Sequence, residues 1–131
     1  MLIAPCGLDC ALCRSYIRKR NPCPGCRGSD SNKTKSCLAC AIKNCKELAA
    51  GKFRFCFSCA SYPCTVLRHL EDRYRARYGV SPISNLEQIK RTGVEDFMAE
   101  EISKWACPDC GSLLSMHKPE CVHCGYNWQD R

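Results

Sequence analysis

The sequence predicts a small α+β protein stabilised by bound metal, with a Cys-rich irregular N-terminal unit carrying short helices, a helical middle and a C-terminal zinc ribbon. Cysteine supplies 15 of the 131 residues. Twelve of these cysteines form six Cys-x2-Cys pairs, a spacing that brings two thiolates to one edge of a metal tetrahedron. No cysteine lies between residues 64 and 107, which divides the chain into predicted regions 1–64, 65–105 and 106–131. The pairs are Cys10 and Cys13, Cys23 and Cys26, Cys37 and Cys40, Cys56 and Cys59, Cys107 and Cys110, and Cys121 and Cys124; Cys6, Cys45 and Cys64 lie outside them.

Bound metal explains these cysteines better than disulfides do. The cysteine count is odd, and the residues from Met1 to Cys6 have neither the charged nor the apolar segment of a secretory signal. No other stretch is long and apolar enough to span a membrane. We therefore expect a cytoplasmic, reduced chain with no membrane partner. Because small cores of this kind need staples, we expect the metal to support folding itself.

Residues 1–64 are predicted to be a Cys-rich multi-metal unit with an internal repeat. The motif Cys37-Leu-Ala-Cys40-x4-Cys45 recurs nineteen residues later as Cys56-Phe-Ser-Cys59-x4-Cys64. The intervening segment is rich in helix formers, which predicts a short helix over Ala41–Gly51. The spacing leaves the ligand sets open. One partition takes Cys10, Cys13, Cys23 and Cys26 as one site and Cys37, Cys40, Cys56 and Cys59 as another, with Cys6, Cys45 and Cys64 as weaker candidates; a second uses these three and leaves one pair without metal.

Residues 65–105 are predicted to be a helical segment that packs on this unit. An apolar side chain at every fourth position predicts that the first helix presents one packing face. That face comprises Val66, Leu70, Tyr74 and Tyr78. Two capping boxes, Ser84-Asn-Leu-Glu87 and Thr92-Gly-Val-Glu95, predict two further helix starts. The last helix is predicted to bury an apolar stripe of Val94, Phe97, Met98, Ile102 and Trp105.

Residues 106–131 are predicted to form a zinc ribbon. Cys107-Pro-Asp-Cys110 and Cys121-Val-His-Cys124 are each followed at once by glycine, which tolerates the positive φ that such a turn requires. Four thiolates close a tetrahedral shell, so this site is predicted to be structural, with no open position for a substrate. His117 and His123 are alternative ligands. Tyr126 and Trp128 are predicted to cover the site.

The N-terminal cysteines also allow a different metal. Cys6-Gly-Leu-Asp-Cys10-Ala-Leu-Cys13 has the spacing of a radical-SAM cluster motif, but the chain lacks the alternating strand–helix pattern of the barrel that carries that chemistry. A non-radical iron–sulfur cluster stays open, because cysteine ligation alone does not separate iron–sulfur from zinc. Cys64, at the predicted start of a helix, is a candidate reactive thiol. No other catalytic pattern is recognisable, so an enzyme is disfavoured.

The positive formal charge of the chain is weak evidence for a nucleic-acid partner. The formal net charge is +7, and residues 1–64 carry 11 Lys and Arg against 3 Asp and Glu. Four thiolates around one zinc ion leave a net charge of about −2, so three such sites would bring the chain close to neutral. Nucleic acid is therefore a weakly supported partner, and a protein partner is favoured.

The order of the cysteine motifs resembles a prokaryotic Cys-rich family of unknown function, of the DUF3795 type. The resemblance covers Cys6-Gly-Leu-Asp-Cys10-x2-Cys13, Cys23-Pro-Gly-Cys26, Cys37-x2-Cys40-x4-Cys45 and Cys56-x2-Cys59-x2-Tyr-Pro-Cys64. It implies a prokaryotic origin and metal binding, and the C-terminal ribbon is similar to one appended to some members. The predicted function is a metal-binding structural or interaction module with about three zinc ions. The alternative is an iron–sulfur or redox protein that donates electrons or metal to a partner enzyme.

Overall fold

Helices dominate the fold, and β structure is almost absent from the part of the chain described. A computed structural model describes residues 2–42, 44–45, 48, 51 and 54–128. In these residues the β component consists of three isolated antiparallel bridges, Ile3 with Asp9, Ala106 with Leu113 and Glu120 with Asn127. The helices are α1 (Arg14–Ile17), α2 (Lys35–Leu38), α3 (Thr65–Tyr78), α4 (Pro82–Thr92) and α5 (Val94–Lys104), with 3-10 turns at Cys10–Leu12 and Cys56–Ser58. The predicted helix over Ala41–Gly51 falls partly outside the described residues.

The helical middle is confirmed, and α3 buries Leu70 as predicted, but its packing face includes Leu67 in place of Val66. Leu67 is fully buried and Leu70 nearly so, whereas Val66 is 43% exposed. Glu71 is also buried, and its carboxylate accepts hydrogen bonds from the Ser81 hydroxyl at 2.5 Å and the Ile83 amide at 2.9 Å. The carboxylate thus ties α3 to the start of α4. Helix α3 ends at Tyr78 and is capped by Gly79, whose φ of 65° is left-handed.

Neither of the two predicted capping residues, Ser84 and Thr92, is the N-cap of a helix. The cap of helix α4 lies three residues earlier than predicted, because the Ser81 hydroxyl accepts the Ser84 amide at 3.0 Å and Pro82 occupies the first helical position. Thr92 ends α4 instead of starting α5; its hydroxyl donates to the Gln88 carbonyl at 2.9 Å. Helix α5 begins at Val94 without a side-chain cap.

Helix α5 buries Phe97 completely, as predicted, but not Ile102. Ile102 is 57% exposed, and the neighbouring Glu101 is buried instead. Burial raises the pKa of the Glu101 carboxyl, as does the charge of Asp9. The apolar stripe is therefore narrower than its periodicity suggested.

The C-terminal segment packs directly on the N-terminal unit. The Met116 amide donates to the Leu12 carbonyl at 3.0 Å, and the buried Ser115 hydroxyl donates to the same oxygen at 2.9 Å. The indole ring of Trp105, at the end of α5, meets that of Trp128 edge to face at 5.3 Å. Hydrophobic residues from all three predicted regions thus contribute to one core. No described helix combines the length and apolarity needed to cross a membrane.

Candidate metal centre

The four C-terminal cysteines converge on one point. The Sγ atoms of Cys107, Cys110, Cys121 and Cys124 all lie within 4.8 Å of one another. The Cys107–Cys124 and Cys110–Cys121 Sγ pairs are each 3.6 Å apart. A tetrahedral zinc ion with Zn–S bonds of about 2.3 Å requires sulfurs about 3.8 Å apart, so this donor set fits zinc in both type and spacing.

Two matching backbone turns bring these sulfurs together. In the first, the Gly111 amide donates to the Cys107 carbonyl at 2.9 Å, and the Cys107 amide donates to the Ser112 carbonyl at 2.7 Å. The second turn repeats both bonds at the same distances, from Gly125 to Cys121 and from Cys121 to Tyr126. Gly111 and Gly125 have φ of 78° and 81°, a conformation that strains residues with a Cβ atom. The Cys-x2-Cys-Gly pattern therefore encodes the turn locally.

The C-terminal cysteine set lies at the surface of the molecule, with two of its four cysteines buried. Cys107 and Cys121 are buried, and Cys110 and Cys124 are exposed. Hydrogen bonds from the Ser112 amide and hydroxyl lower the pKa of Cys110 to about 7, whereas desolvation and hydrogen bonds to the other three cysteines raise that of Cys124, so the thiols of this set titrate together.

The two histidines considered as alternative ligands do not join this cluster. His117 lies between the N-terminal unit and α3: its Nδ1 accepts the Arg14 amide at 3.3 Å, and its Nε2 is 3.0 Å from the Tyr74 hydroxyl. Burial, and the charge of Arg14, lower the pKa of His117 to about 4. The imidazole is therefore neutral, with Nδ1 as acceptor and Nε2–H as the donor to Tyr74. His123 is exposed beside the second turn.

A first group of N-terminal cysteines surrounds the 3-10 turn at Cys10. The Cys26 amide donates to the Cys10 sulfur at 3.3 Å. Hydrogen bonds from Cys26 lower the pKa of Cys10, whereas burial raises that of Cys13. Cys6 is buried nearby, and burial raises its pKa strongly, with the charges of Cys26, Cys56 and Cys40 adding to the effect.

A second group lines a cavity of about 260 Å³. Burial, together with the charges of the three other cysteines on the cavity wall, raises the pKa of Cys56 to about 12. Most of the remaining wall is aliphatic. The four cysteines are Cys45, Cys56, Cys59 and Cys64.

The Cys10–Cys13 and Cys56–Cys59 pairs share a turn that differs from the C-terminal ones. In each, the second cysteine amide donates to the carbonyl of the first at 3.0 Å, closing a 3-10 turn. The second cysteine is extended in both, with φ and ψ of −80° and 131° at Cys13 and −77° and 139° at Cys59. The Cys56 amide donates to the Pro5 carbonyl at 2.9 Å and joins the two groups.

Arg27, which the sequence analysis did not single out, lies between the two groups. Its Nε donates to the Ile3 carbonyl at 2.7 Å and its guanidinium to the Arg54 carbonyl at 2.5 Å. The guanidinium carbon is 4.8 Å from the ring centroid of Phe55. Burial and the charge of Arg54 lower the pKa of the Arg27 guanidinium, whereas the charges of Cys10, Cys6 and Cys56 oppose this shift, so the cation is within electrostatic range of both groups. The only sequence feature that could have pointed to Arg27 was its position directly after Cys26.

Of the two partitions that spacing left open, the cavity favours the second, which uses cysteines outside the Cys-x2-Cys pairs. Cys56 and Cys59 share their cavity with Cys45 and Cys64, which spacing had ranked as weaker candidates, and not with Cys37 or Cys40. Among the described residues, only the C-terminal set has three or more His, Cys, Asp or Glu ligand atoms within 4.8 Å of one another. The ligand roles of all the N-terminal cysteines stay predictions.

Comparison with known proteins bears on the N-terminal half of the chain. Residues 2–69 match a family described as a protein of unknown function, DUF3795. The chain belongs to this family. The matched range ends five residues into α3 and includes both N-terminal cysteine groups and Arg27. No curated protein and no solved structure matched the chain.

Proposed function

We propose that this chain is a metal-binding structural protein whose C-terminal cysteines hold one zinc ion in a zinc ribbon. The observation that carries the proposal is the convergence of four Sγ atoms within 4.8 Å from two matching turns. Thiolates are soft ligands, and a four-thiolate tetrahedron at this spacing suits zinc. The N-terminal cysteines supply further metal-binding capacity.

The role of this zinc ion is structural and not catalytic. Four protein ligands leave no open position for water or substrate. The ion would hold residues 106–128 against the core, where Ser115 and Met116 bond to Leu12. Exposed Cys110, Cys124 and Val122 keep one side of the site at the surface, which suits a module that presents a protein-binding face.

Zinc analysis of the full chain with single substitutions tests this proposal. Cys110→Ser removes one ligand and is expected to lower the zinc content by one ion per chain, because three ligands and a surface position hold zinc weakly. Asp109→Asn lies in the same turn, is exposed, and is expected to keep the wild-type zinc content.

The same comparison has a clear contrary outcome. Wild-type protein without zinc, or Cys110→Ser protein with undiminished zinc, would contradict the ribbon. The metal bound by residues 6–64 is expected to be unchanged in Cys110→Ser protein. Loss of all metal would mean that the two halves bind metal as one cooperative unit.

A further inference from the structure

The cavity shared by Cys45, Cys56, Cys59 and Cys64 has the form of a binding site. It is a partly open pocket with a volume of about 260 Å³. Its cysteines come from separate parts of the chain: Cys56 and Cys59 flank a 3-10 turn, and Cys64 is the N-cap of α3. Tertiary folding, and not one local turn, therefore places four soft ligands around one space.

The sulfurs of this cavity are not gathered around one point as those of the C-terminal set are. A mononuclear zinc site needs its sulfurs about 3.8 Å apart, and among the described residues only the C-terminal set brings its ligand atoms within 4.8 Å of one another. The two Cys-x2-Cys geometries also differ. The C-terminal pairs close through a glycine at positive φ, whereas the Cys56–Cys59 pair forms a 3-10 turn and is followed by Ala60.

The cavity wall suits a larger thiolate-bound group. A cubane iron–sulfur cluster holds its four cysteine sulfurs about 6 Å apart, because the iron and sulfide core separates them. The described wall contains no histidine or carboxylate that would favour another metal, and residues such as Ile42, Leu48 and Leu67 surround the cysteines with aliphatic carbon. Such a shell limits solvent around a cluster and influences its potential.

A fixed positive charge lies beside this site. A cluster with four thiolates carries net negative charge, which favours a nearby cation. Arg27 is held by the carbonyl oxygens of Ile3 and Arg54, and the charge of Cys56 acts on it. Because the guanidinium is fixed by the backbone, it needs no rearrangement to serve as a counter-charge.

The geometry points to Cys45, Cys56, Cys59 and Cys64 as the ligands of a [4Fe–4S]-type cluster in this cavity. The cluster would make the N-terminal half of the chain a redox centre. This inference goes beyond the zinc site proposed above, which uses none of these cysteines, and the two stand or fall separately.

Anaerobic reconstitution of the full chain with ferrous iron and sulfide tests the inference. The wild-type protein is expected to become brown, with iron and acid-labile sulfide bound, and to show a paramagnetic signal after reduction by one electron from dithionite. Cys59→Ala and Cys64→Ala each remove one ligand from a different segment. Each is expected to bind about four fewer iron and four fewer sulfide ions than the wild type.

The control is Cys110→Ala, which is expected to lose zinc and keep the wild-type iron and sulfide content. The helical circular dichroism signal of the whole protein, to which α3–α5 contribute most, checks that the cavity variants remain folded. If one variant unfolds, the other decides. If both unfold, the iron and sulfide content of the wild type together with its spectrum decides.

Three outcomes would overturn the inference. The wild type could remain colourless and bind no iron. The folded Cys59→Ala and Cys64→Ala proteins could keep all wild-type iron, which would place any cluster on other cysteines. The wild type could instead bind an additional zinc ion that both variants lose. None of these outcomes affects the zinc content expected of residues 107–124.

Discussion

The hydroxyl of Ser115 donates a 2.9 Å hydrogen bond to the carbonyl oxygen of Leu12, 103 residues away in sequence. Both residues are buried. Ser115 also accepts the His117 amide at 3.2 Å. One hydroxyl therefore connects the segment between the two C-terminal turns to the turn that carries Cys10.

Replacing this hydroxyl is expected to weaken the contact between the two ends of the chain. Ser115→Ala should lower the free energy of unfolding by about 1–2 kcal/mol, because the partly buried His117 amide loses its acceptor while the Leu12 carbonyl keeps the Met116 amide. Chemical denaturation of the metal-loaded protein measures this change. Ser103→Ala, on the exposed side of α5, is the control and should change stability by less than about 0.5 kcal/mol. Equal effects of the two substitutions would contradict a special role for Ser115.

A second prediction concerns Gly7, which contacts the start of α4. Its φ is 91°, and an added Cβ atom would lie 2.8 Å from the Pro82 carbonyl oxygen and 2.9 Å from Leu86 Cγ. Gly7→Ala should therefore cost at least about 3 kcal/mol, since both backbone strain and overpacking oppose it. Gly79→Ala is the matched control: its φ is 65°, but nothing lies within 4 Å of the added atom. It should cost only about 1 kcal/mol. Thermal unfolding of both variants measures the difference, and similar costs would mean that the contact with α4 is unimportant.

A third prediction is a pH dependence carried by His117. Burial lowers the pKa of His117 from 6.5 to about 4. The unfolded chain therefore takes up the proton first as the pH falls, so stability is lost below the ordinary pKa and the loss levels off below the folded one. Because the ring is partly exposed, we expect a loss of about 1 kcal/mol between about pH 7 and about pH 5.

Substitution separates this effect from acid release of metal. The amide of His117→Gln does not titrate, and it offers one acceptor and one donor group for the Arg14 amide and the Tyr74 hydroxyl. Denaturation at both pH values should show the smaller loss in the variant, since both proteins share any metal effect. Identical losses would exclude His117 as the source.

The local chemistry of the C-terminal site was predictable from sequence. Each Cys-x2-Cys-Gly motif requires only one tight turn, and the two glycines at positive φ supply it. Helical content between residues 65 and 105 was equally predictable, because helix periodicity is a local property. The helix boundaries were less predictable. The N-cap of α4 is Ser81 and not Ser84, a displacement of three residues that depends on Pro82 as much as on the capping-box pattern.

The buried faces were only partly predictable. Val66 and Ile102 lie on apolar stripes yet are exposed, whereas Glu71 and Glu101 are buried. Periodicity selects several adjacent positions as a possible face, and the neighbouring elements decide which of them is covered. The hydrogen bonds of Glu71 to Ser81 and Ile83 show how such a choice makes a buried carboxylate acceptable.

The sequence by itself determined that this chain is rich in metal-type cysteine pairs, that its middle is helical and that its last four cysteines can close one tetrahedron. Only the tertiary structure decided that Cys45 and Cys64 face the cavity of Cys56 and Cys59, that Arg27 lies beside Cys56, and that His117 bonds to Tyr74. The physical reason is the range of the interactions. A turn is set by a few adjacent dihedral angles, whereas these contacts depend on how distant segments pack, as in the bond from the Cys56 amide to the Pro5 carbonyl.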